Sequence, residues 1–456
     1  MNSLELIKQL KLKKITPVEN TKNFLEQAKI IDNEYHYFLI FNENAPKQAK
    51  TLKKGKLYGL PVSVKDCICV KDLESKAGSK ILEGYEPVFD ATVIEKLKAE
   101  GAVIIGKTTQ DVFGFGSFNV NTGLGYKVPK NPFDKIRATG GSSGGAAGIT
   151  QKSEMPHVAI SESTGGSIAA PACYCGVYGM TPTYGRVSRY GLIDYSNSTD
   201  KIGVMAKDIE DIALVMEVIS GYDEKDSTSM DVPVEKYSEK SGSKFKIAVV
   251  KESLGKGVET DVKKNFFGKL GSLNYDEISL PLTFKYGIQT YYLISMSEAS
   301  TNLAKLCGMR YGKHENLEGN FNEYFSKVRS KNFSKEAKRR IILGTFARMS
   351  GFRDAYYMKA LQVRTKIIDE YKKYFKKYDF IITPTMPNIA PKFSEIDKMT
   401  PLQNYMMDIM TVGPNLAGFP HLSIPSGFSS KMPTGMLVIA DHFQEKKIID
   451  FARSLK

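Results

Sequence analysis

The chain opens with two stretches whose apolar residues recur at helical spacing. Leu4, Ile7, Leu10 and Leu12 fall near one side of a helix, and Pro17-Val18-Glu19 after Thr16 reads as the first turn of a second. Residues 1–50 are therefore expected to form a helical segment packed on the outside of a core. From Leu60 onward short apolar runs, glycine-rich turns and helices alternate, which is the pattern of an α/β protein. Thr92 is a candidate N-cap for a helix running through Val93, Ile94 and Leu97 to Gly101. Ala102-Val103-Ile104-Ile105-Gly106 then reads as a strand. Further strands are expected at Lys246 to Val250, Phe380 to Thr383, Leu422 to Ile424 and Met436 to Ile439, whereas Tyr291 to Arg364 reads mostly as helix. The polar stretch from Asp223 to Ser243 is the one candidate boundary, and it lies between strands that one sheet could hold. The expectation is a single domain over residues 1–456 with a helical elaboration at about 285–375.

Composition narrows the setting. Hydrophobic residues make up 42% and charged residues 25%, enough apolar surface for a substantial core and against long disordered stretches. The formal charge of +14 raises the question of an acidic partner such as RNA or an anionic membrane. Only 11 of the 64 basic residues are arginine, the better reader of phosphates and bases, so a lysine-rich solvated surface is the preferred reading. The start has no basic stretch followed by an apolar run, and Tyr37 to Phe41 is too short to span a bilayer. Neither export nor a membrane is expected, and a cytoplasmic location fits. Five cysteines (Cys67, Cys69, Cys173, Cys175 and Cys307) exclude a complete intrachain disulfide set. The two Cys-x-Cys pairs are spaced too tightly for a usual zinc site, so buried thiols are expected and no metal.

The densest chemistry lies between Thr139 and Pro171, in Gly140-Gly141-Ser142-Ser143-Gly144-Gly145 and Thr164-Gly165-Gly166-Ser167. Neither segment has the Gly-Lys-Ser/Thr ending of a P-loop or a full Gly-x-Gly-x-x-Gly opening, which disfavours nucleotide binding. His157 to Ile160 reads as a strand, Ser161 to Gly166 as a turn and Ser167 to Ala170 as the opening of a helix. At such a helix start, free N–H groups can converge on a developing oxyanion; a plain serine N-cap is the alternative. A nucleophile needs a base, and none of the five histidines sits in a recognisable Ser-His-Asp setting. Lys65 ends the apolar run Leu60-Pro61-Val62-Ser63-Val64, where a charge is costly unless it is paired or loses its proton. A lysine titrates at ~10.4 and as a base has to be tuned toward roughly 7 to 8.

Taken together, Leu60 to Asp66, Gly140 to Gly145 and Thr164 to Ser167 resemble the amidase signature family of Ser-cisSer-Lys hydrolases. The resemblance implies an α/β fold, a large mixed β-sheet covered by helices on both faces. It implies Ser167 as nucleophile, Ser142 after a cis peptide as relay and Lys65 as base. It also implies an oxyanion hole at Thr164, Gly165 and Gly166. Thr183 to Gly191, Ser297 to Ser300, Asp354 to Tyr357 and Val363 to Thr365 are similar to one branch, the glutaminase A subunits of aspartyl/glutamyl-tRNA amidotransferases. That similarity implies Arg340 and Asp408 as holders of the charged α-groups of glutamine and Tyr291 as a pocket wall. It further implies partner B and C subunits, with ATP, Mg²⁺ and mischarged tRNA handled mainly by the B partner and no cofactor in this chain. Ser163 replaces the family's usual aspartate, and Ala169-Ala170 replaces Arg-Gln before Pro171. A stand-alone amidase and a scaffold subunit of weak activity are the two rival expectations.

Overall fold

The computed structural model of the chain describes residues 2–242 and 244–456; Met1 and Ser243, the latter at the end of the polar stretch, lie outside it. The strands are β1 (Phe38–Phe41), β2 (Pro61–Lys65), β3 (Val103–Thr108), β4 (Val158–Ser163), β5 (Tyr178–Thr181) and β6 (Lys201–Ala206). They continue with β7 (Ile247–Val250), β8 (Tyr275–Ile278), β9 (Phe380–Pro384), β10 (His421–Ser429) and β11 (Met432–Ala440). All eleven belong to one sheet in the order β1-β3-β2-β4-β6-β5-β10-β11-β9-β7-β8. Parallel pairings join β3, β2 and β4 on one side and β9, β7 and β8 on the other. Antiparallel pairs link the two sides through β6, β5, β10 and β11.

Strand alternation assigns the two faces. Val62 and Val64, Val158 and Ile160, Val249, Ile382 and Val438 all contribute to one large apolar cluster, with helices Thr92–Ala99 and Ile209–Ile219 over it. Their neighbours in sequence point the other way. Ala159 and Met205 pack under helices Gly144–Lys152 and Ala169–Cys175, while Ala248, Ile381 and Leu437 pack under Pro281–Asn302 and Lys359–Phe375. The sheet is therefore covered by helices on both faces.

The opening helices are Ser3–Lys11 and Pro17–Tyr35, the second capped by Thr16 accepting from the Glu19 N–H. Residues 1–50 are not wholly helical, however. Phe38–Phe41 is an edge strand antiparallel to β3; a four-residue apolar run is too short for periodicity to distinguish strand from helix. Thr92 is the first helical residue rather than the cap, and its Oγ1 instead donates to Asp223 Oδ2 at 2.6 Å. The elaboration at about 285–375 consists of helices Pro281–Asn302, Phe321–Asn332, Lys335–Arg348 and Lys359–Phe375, with a π-helical turn at Asp354–Met358. Among the described residues no helix is long and apolar enough to cross a membrane.

Candidate active site

Lys65 is the last residue of β2, and alternation with Val62 and Val64 turns it toward the helices that begin at Gly144 and Ala169. Lys65 and Ser142 are fully buried. Lys65 Nζ lies 2.7 Å from Ser142 Oγ, and it also contacts the Glu162 carbonyl at 3.0 Å and Glu162 Oε2 at 2.9 Å. The peptide between Gly141 and Ser142 is cis. A side chain on Gly141 would drive its Cβ to 2.3 Å from Asp111 Oδ2, so only glycine fits there. The loop is held at both ends: Gly141 N–H donates to the Ser117 carbonyl at 2.8 Å, and the Ser142 carbonyl accepts from Asp111 N–H at 3.1 Å.

The segment carrying Ser167 departs from the expected turn. β4 continues through Ser161, Glu162 and Ser163, which pair with Gly203, Ile202 and Lys201 of β6. The adjacent glycines favoured an early turn, but the antiparallel ladder extends the strand to Ser163. Ser167 then occupies a turn two residues before helix Ala169–Cys175 instead of opening that helix, and is 5% exposed. Asn415 Nδ2 donates to the carbonyls of Thr164 and Thr199, tying this turn to the segment after β5. A Cβ on Gly165 would lie 2.8 Å from the Tyr291 ring, so Tyr291 packs against Gly165, while Gly166 faces Thr411. Ser163, Ala169 and Ala170 are all fully buried, and among the described residues Ser163 Oγ has no hydrogen-bond partner. An acidic and a basic residue restored at 163 and 169 would have to be accommodated without solvent.

Glu162 extends the polar network beyond the three residues singled out from sequence. Thr164 Oγ1 lies 2.6 Å from Glu162 Oε1 and 2.8 Å from Asp200 Oδ1. Asp200 Oδ2 accepts from the Tyr195 and Ser196 N–H groups at 2.8 and 2.9 Å. Burial first, and then the charge of Glu162, push the Asp200 carboxyl well above the ordinary range.

Beside the cis peptide lies a narrow cavity of about 110 Å³ whose lining includes Asp111, Phe115, Ser117, Glu336, Arg340 and Tyr405. Arg340 is 3% exposed, which rules out a helix-surface charge. Its Nε donates to Glu336 Oε1 at 2.9 Å and its Nη1 to Tyr195 Oη. The rings of Phe115, Tyr195, Tyr292 and Tyr405 surround the guanidinium at 4.9 to 5.6 Å, so cation–π contacts offset part of its desolvation. Asp408 is 7% exposed and accepts from Tyr292 Oη at 2.7 Å and Ser117 Oγ at 3.0 Å. Burial raises its carboxyl, and the Tyr292 and Ser117 bonds and the charge of Arg340 oppose the rise. Asp111 is pushed up to about 6 by burial, against the Asn121 and Asn119 N–H bonds it accepts. Tyr292 thus connects the arginine and the aspartate, and sequence reasoning selected its neighbour Tyr291 alone.

An amidase family model matches residues 19–449. The chain belongs to the amidase family. It is 42% identical to the A subunit of glutamyl-tRNA(Gln) amidotransferase from Sulfurihydrogenibium sp., over 98% of this chain and 95% of that protein. It is 43% identical to the protein of the same name from Methanosarcina mazei, over 96% of this chain and 93% of that one. The crystal structure of the glutamyl-tRNA(Gln) amidotransferase A subunit from Thermotoga maritima superposes with a TM-score of 0.82 at 36% identity, covering 100% of this chain and 94% of that one. A 6-aminohexanoate cyclic dimer hydrolase superposes equally well, with a TM-score of 0.84, but at 19% identity it shares the fold alone.

Cys67, Cys69, Cys173 and Cys175 are buried, and burial raises the thiols of Cys69 to about 11 and Cys173 to about 12. Among the described residues no group of three or more His, Cys, Asp or Glu side chains is arranged to hold a metal.

Proposed function

We propose that the chain is the glutaminase A subunit of a tRNA-dependent amidotransferase. The observation that carries this reading is near-full-length similarity, at 41–43% identity, to A subunits of glutamyl-tRNA(Gln) amidotransferases. Ser167 attacks the side-chain carbonyl of glutamine and forms a γ-glutamyl ester, and water then releases glutamate. Its proton passes to Ser142 and on toward Lys65, a direction supported by the 2.7 Å contact between the last two. N–H groups of Thr164, Gly165 and Gly166 stabilise the oxyanion. Arg340 and Asp408 hold the α-carboxylate and α-ammonium of glutamine, and Tyr291 lines the pocket. Ammonia passes to a B subunit that supplies ATP, Mg²⁺ and the mischarged Glu-tRNA(Gln) or Asp-tRNA(Asn), with a small C subunit clasping the pair in the cytoplasm.

The test is ammonia release from glutamine by the chain, alone and assembled with its B partner, beside Ser167→Ala. Glutamine hydrolysis that falls by at least about 10³-fold in Ser167→Ala supports the reading. Turnover of simple amides without a partner would instead identify a stand-alone amidase, and no turnover in either setting a scaffold.

A further inference from the structure

Glu162 is a buried carboxylate in direct contact with Lys65, 3% exposed at its side chain, and the relay described above leaves it unused. Lys65 Nζ faces three oxygens, Ser142 Oγ, the Glu162 carbonyl and Glu162 Oε2, which match the three N–H donors of an ammonium and leave no free lone pair with which to take a proton from Ser142. We propose that in this chain the relay ends on Glu162, with Lys65 cationic before and after the transfer and passing the proton through. This rests on the reading of Ser167 as nucleophile. Lys65 Nζ first gives a proton to Glu162 Oε2, the lone pair so freed takes the proton of Ser142 Oγ, and Ser142 Oγ takes that of Ser167 Oγ. The electron pair left on Ser167 forms the ester bond. When the carbon–nitrogen bond breaks, the proton returns through Lys65 and Ser142 to the departing nitrogen, which leaves as ammonia.

The far side of Glu162 fits this role. Thr164 Oγ1 bridges Glu162 Oε1 and Asp200 Oδ1, yet a hydroxyl has one proton, so one of the two carboxyls must itself bring the second. With the proton on Asp200, Asp200 donates to Thr164 and Thr164 donates to Glu162, leaving Glu162 as the single anion beside Lys65. The other groups facing this carboxylate are the Cys67 thiol from the segment after β2 and the Tyr195 ring, with Asp111 next to Lys65. Glu162 is a positioning residue, linked to the reacting groups through Lys65 on one side and Thr164 on the other.

The experiment compares wild type, Glu162→Gln and Glu162→Asp in the assembled complex, by glutamine hydrolysis and by the rate at which phenylmethylsulfonyl fluoride labels Ser167, both across pH. Wild type is expected to reach its plateau near neutral pH. Glu162→Gln should lose about 10²- to 10³-fold at pH 7 and lose the wild-type pH profile, because Lys65 must then act alone. Glu162→Asp should recover part of the rate with the wild-type profile. An unchanged profile in Glu162→Gln overturns the proposal, and so does a faster rate at neutral pH, which would mean that Glu162 merely holds the lysine charged. Thermal unfolding of each variant separates these results from misfolding, and labelling reads the relay in a variant with too little glutamine turnover to follow. If wild-type Ser167 is not labelled above the Ser167→Ala background, the nucleophile reading fails and this proposal with it; if Ser167 is labelled but glutamine is not hydrolysed, only the substrate assignment fails.

Discussion

The Tyr292 hydroxyl is the residue-scale feature on which the proposed glutamine pocket depends most directly. It donates to Asp408 Oδ2 at 2.7 Å while its ring flanks the Arg340 guanidinium. A hydrogen bond to a charged group contributes about 1.5–3 kcal/mol, so Tyr292→Phe should weaken the hold on an α-ammonium by roughly tenfold or more. That loss falls on ground state and transition state alike, so KM for glutamine should rise with kcat little changed. The effect should deepen as pH falls, because the lost bond is one that keeps the buried Asp408 carboxyl ionised. Steady-state kinetics at pH 6 and pH 8 check both statements; a fall in kcat at constant KM would remove Asp408 from substrate binding. Lys65, Ser142 and Ser167 stand out in the sequence because each lies in a short, sharply defined motif, and the structure brings the first two within 2.7 Å. Arg340 was legible only through resemblance, since Phe115, Tyr195, Tyr292 and Tyr405 around it come from four distant segments. Glu162 carried a signal that could have been used: an ionisable residue entering a buried strand, with a buried lysine elsewhere in need of a partner.

At the scale of elements, the helix Pro17–Tyr35 is fastened to the sheet by a stacked pair, Phe24 on His157, with ring centroids 5.1 Å apart. His157 precedes β4, its Nδ1 lies 3.2 Å from Thr150 Oγ1, and burial, with a smaller contribution from Lys207, lowers its pKa to about 3. The folded protein thus resists protonating a group that the unfolded chain protonates near 6.5. Its contribution is fully present above about pH 6.5 and is lost as pH falls toward about 3, amounting to about 3 kcal/mol between pH 7 and pH 4. His157→Phe keeps a ring against Phe24 and removes the titration. Urea unfolding at pH 7 and pH 4 should show wild type losing about 3 kcal/mol more than the variant over that interval, and equal losses would refute the shift. The strand itself was expected from its apolar run, but its end was misplaced by three residues because Gly165 and Gly166 suggested an earlier turn. Pairing with β6 decides that boundary, and pairing partners cannot be read from one strand's sequence.

For the whole molecule, the sheet separates a face that supports stability from one that also carries the chemistry. Neighbouring residues of β6 make the division testable. Val204 points into the large cluster shared by nearly every strand, while Met205 packs with Ala146, Ala147, Ile168 and Ala172 around the bases of the two serine-bearing loops. Both are fully buried. Truncating either to alanine leaves a cavity, at about 2–5 kcal/mol for Met205 and less for Val204, whose side chain is smaller. The two changes should differ far more in activity than in stability. Collapse around Met205 lets Ile168 move, and Ser167 is bonded to it through one peptide; a displacement of about 1 Å at a nucleophile can lower turnover by about 10²-fold. Around Val204 the relaxation is taken up among aliphatic side chains on the opposite side of the sheet. Measured well below both unfolding temperatures, Val204→Ala should therefore retain wild-type kcat, and Met205→Ala should lose at least tenfold. Equal losses would mean that the sheet transmits packing defects through its thickness, and the two faces would then have to be treated as one mechanical unit.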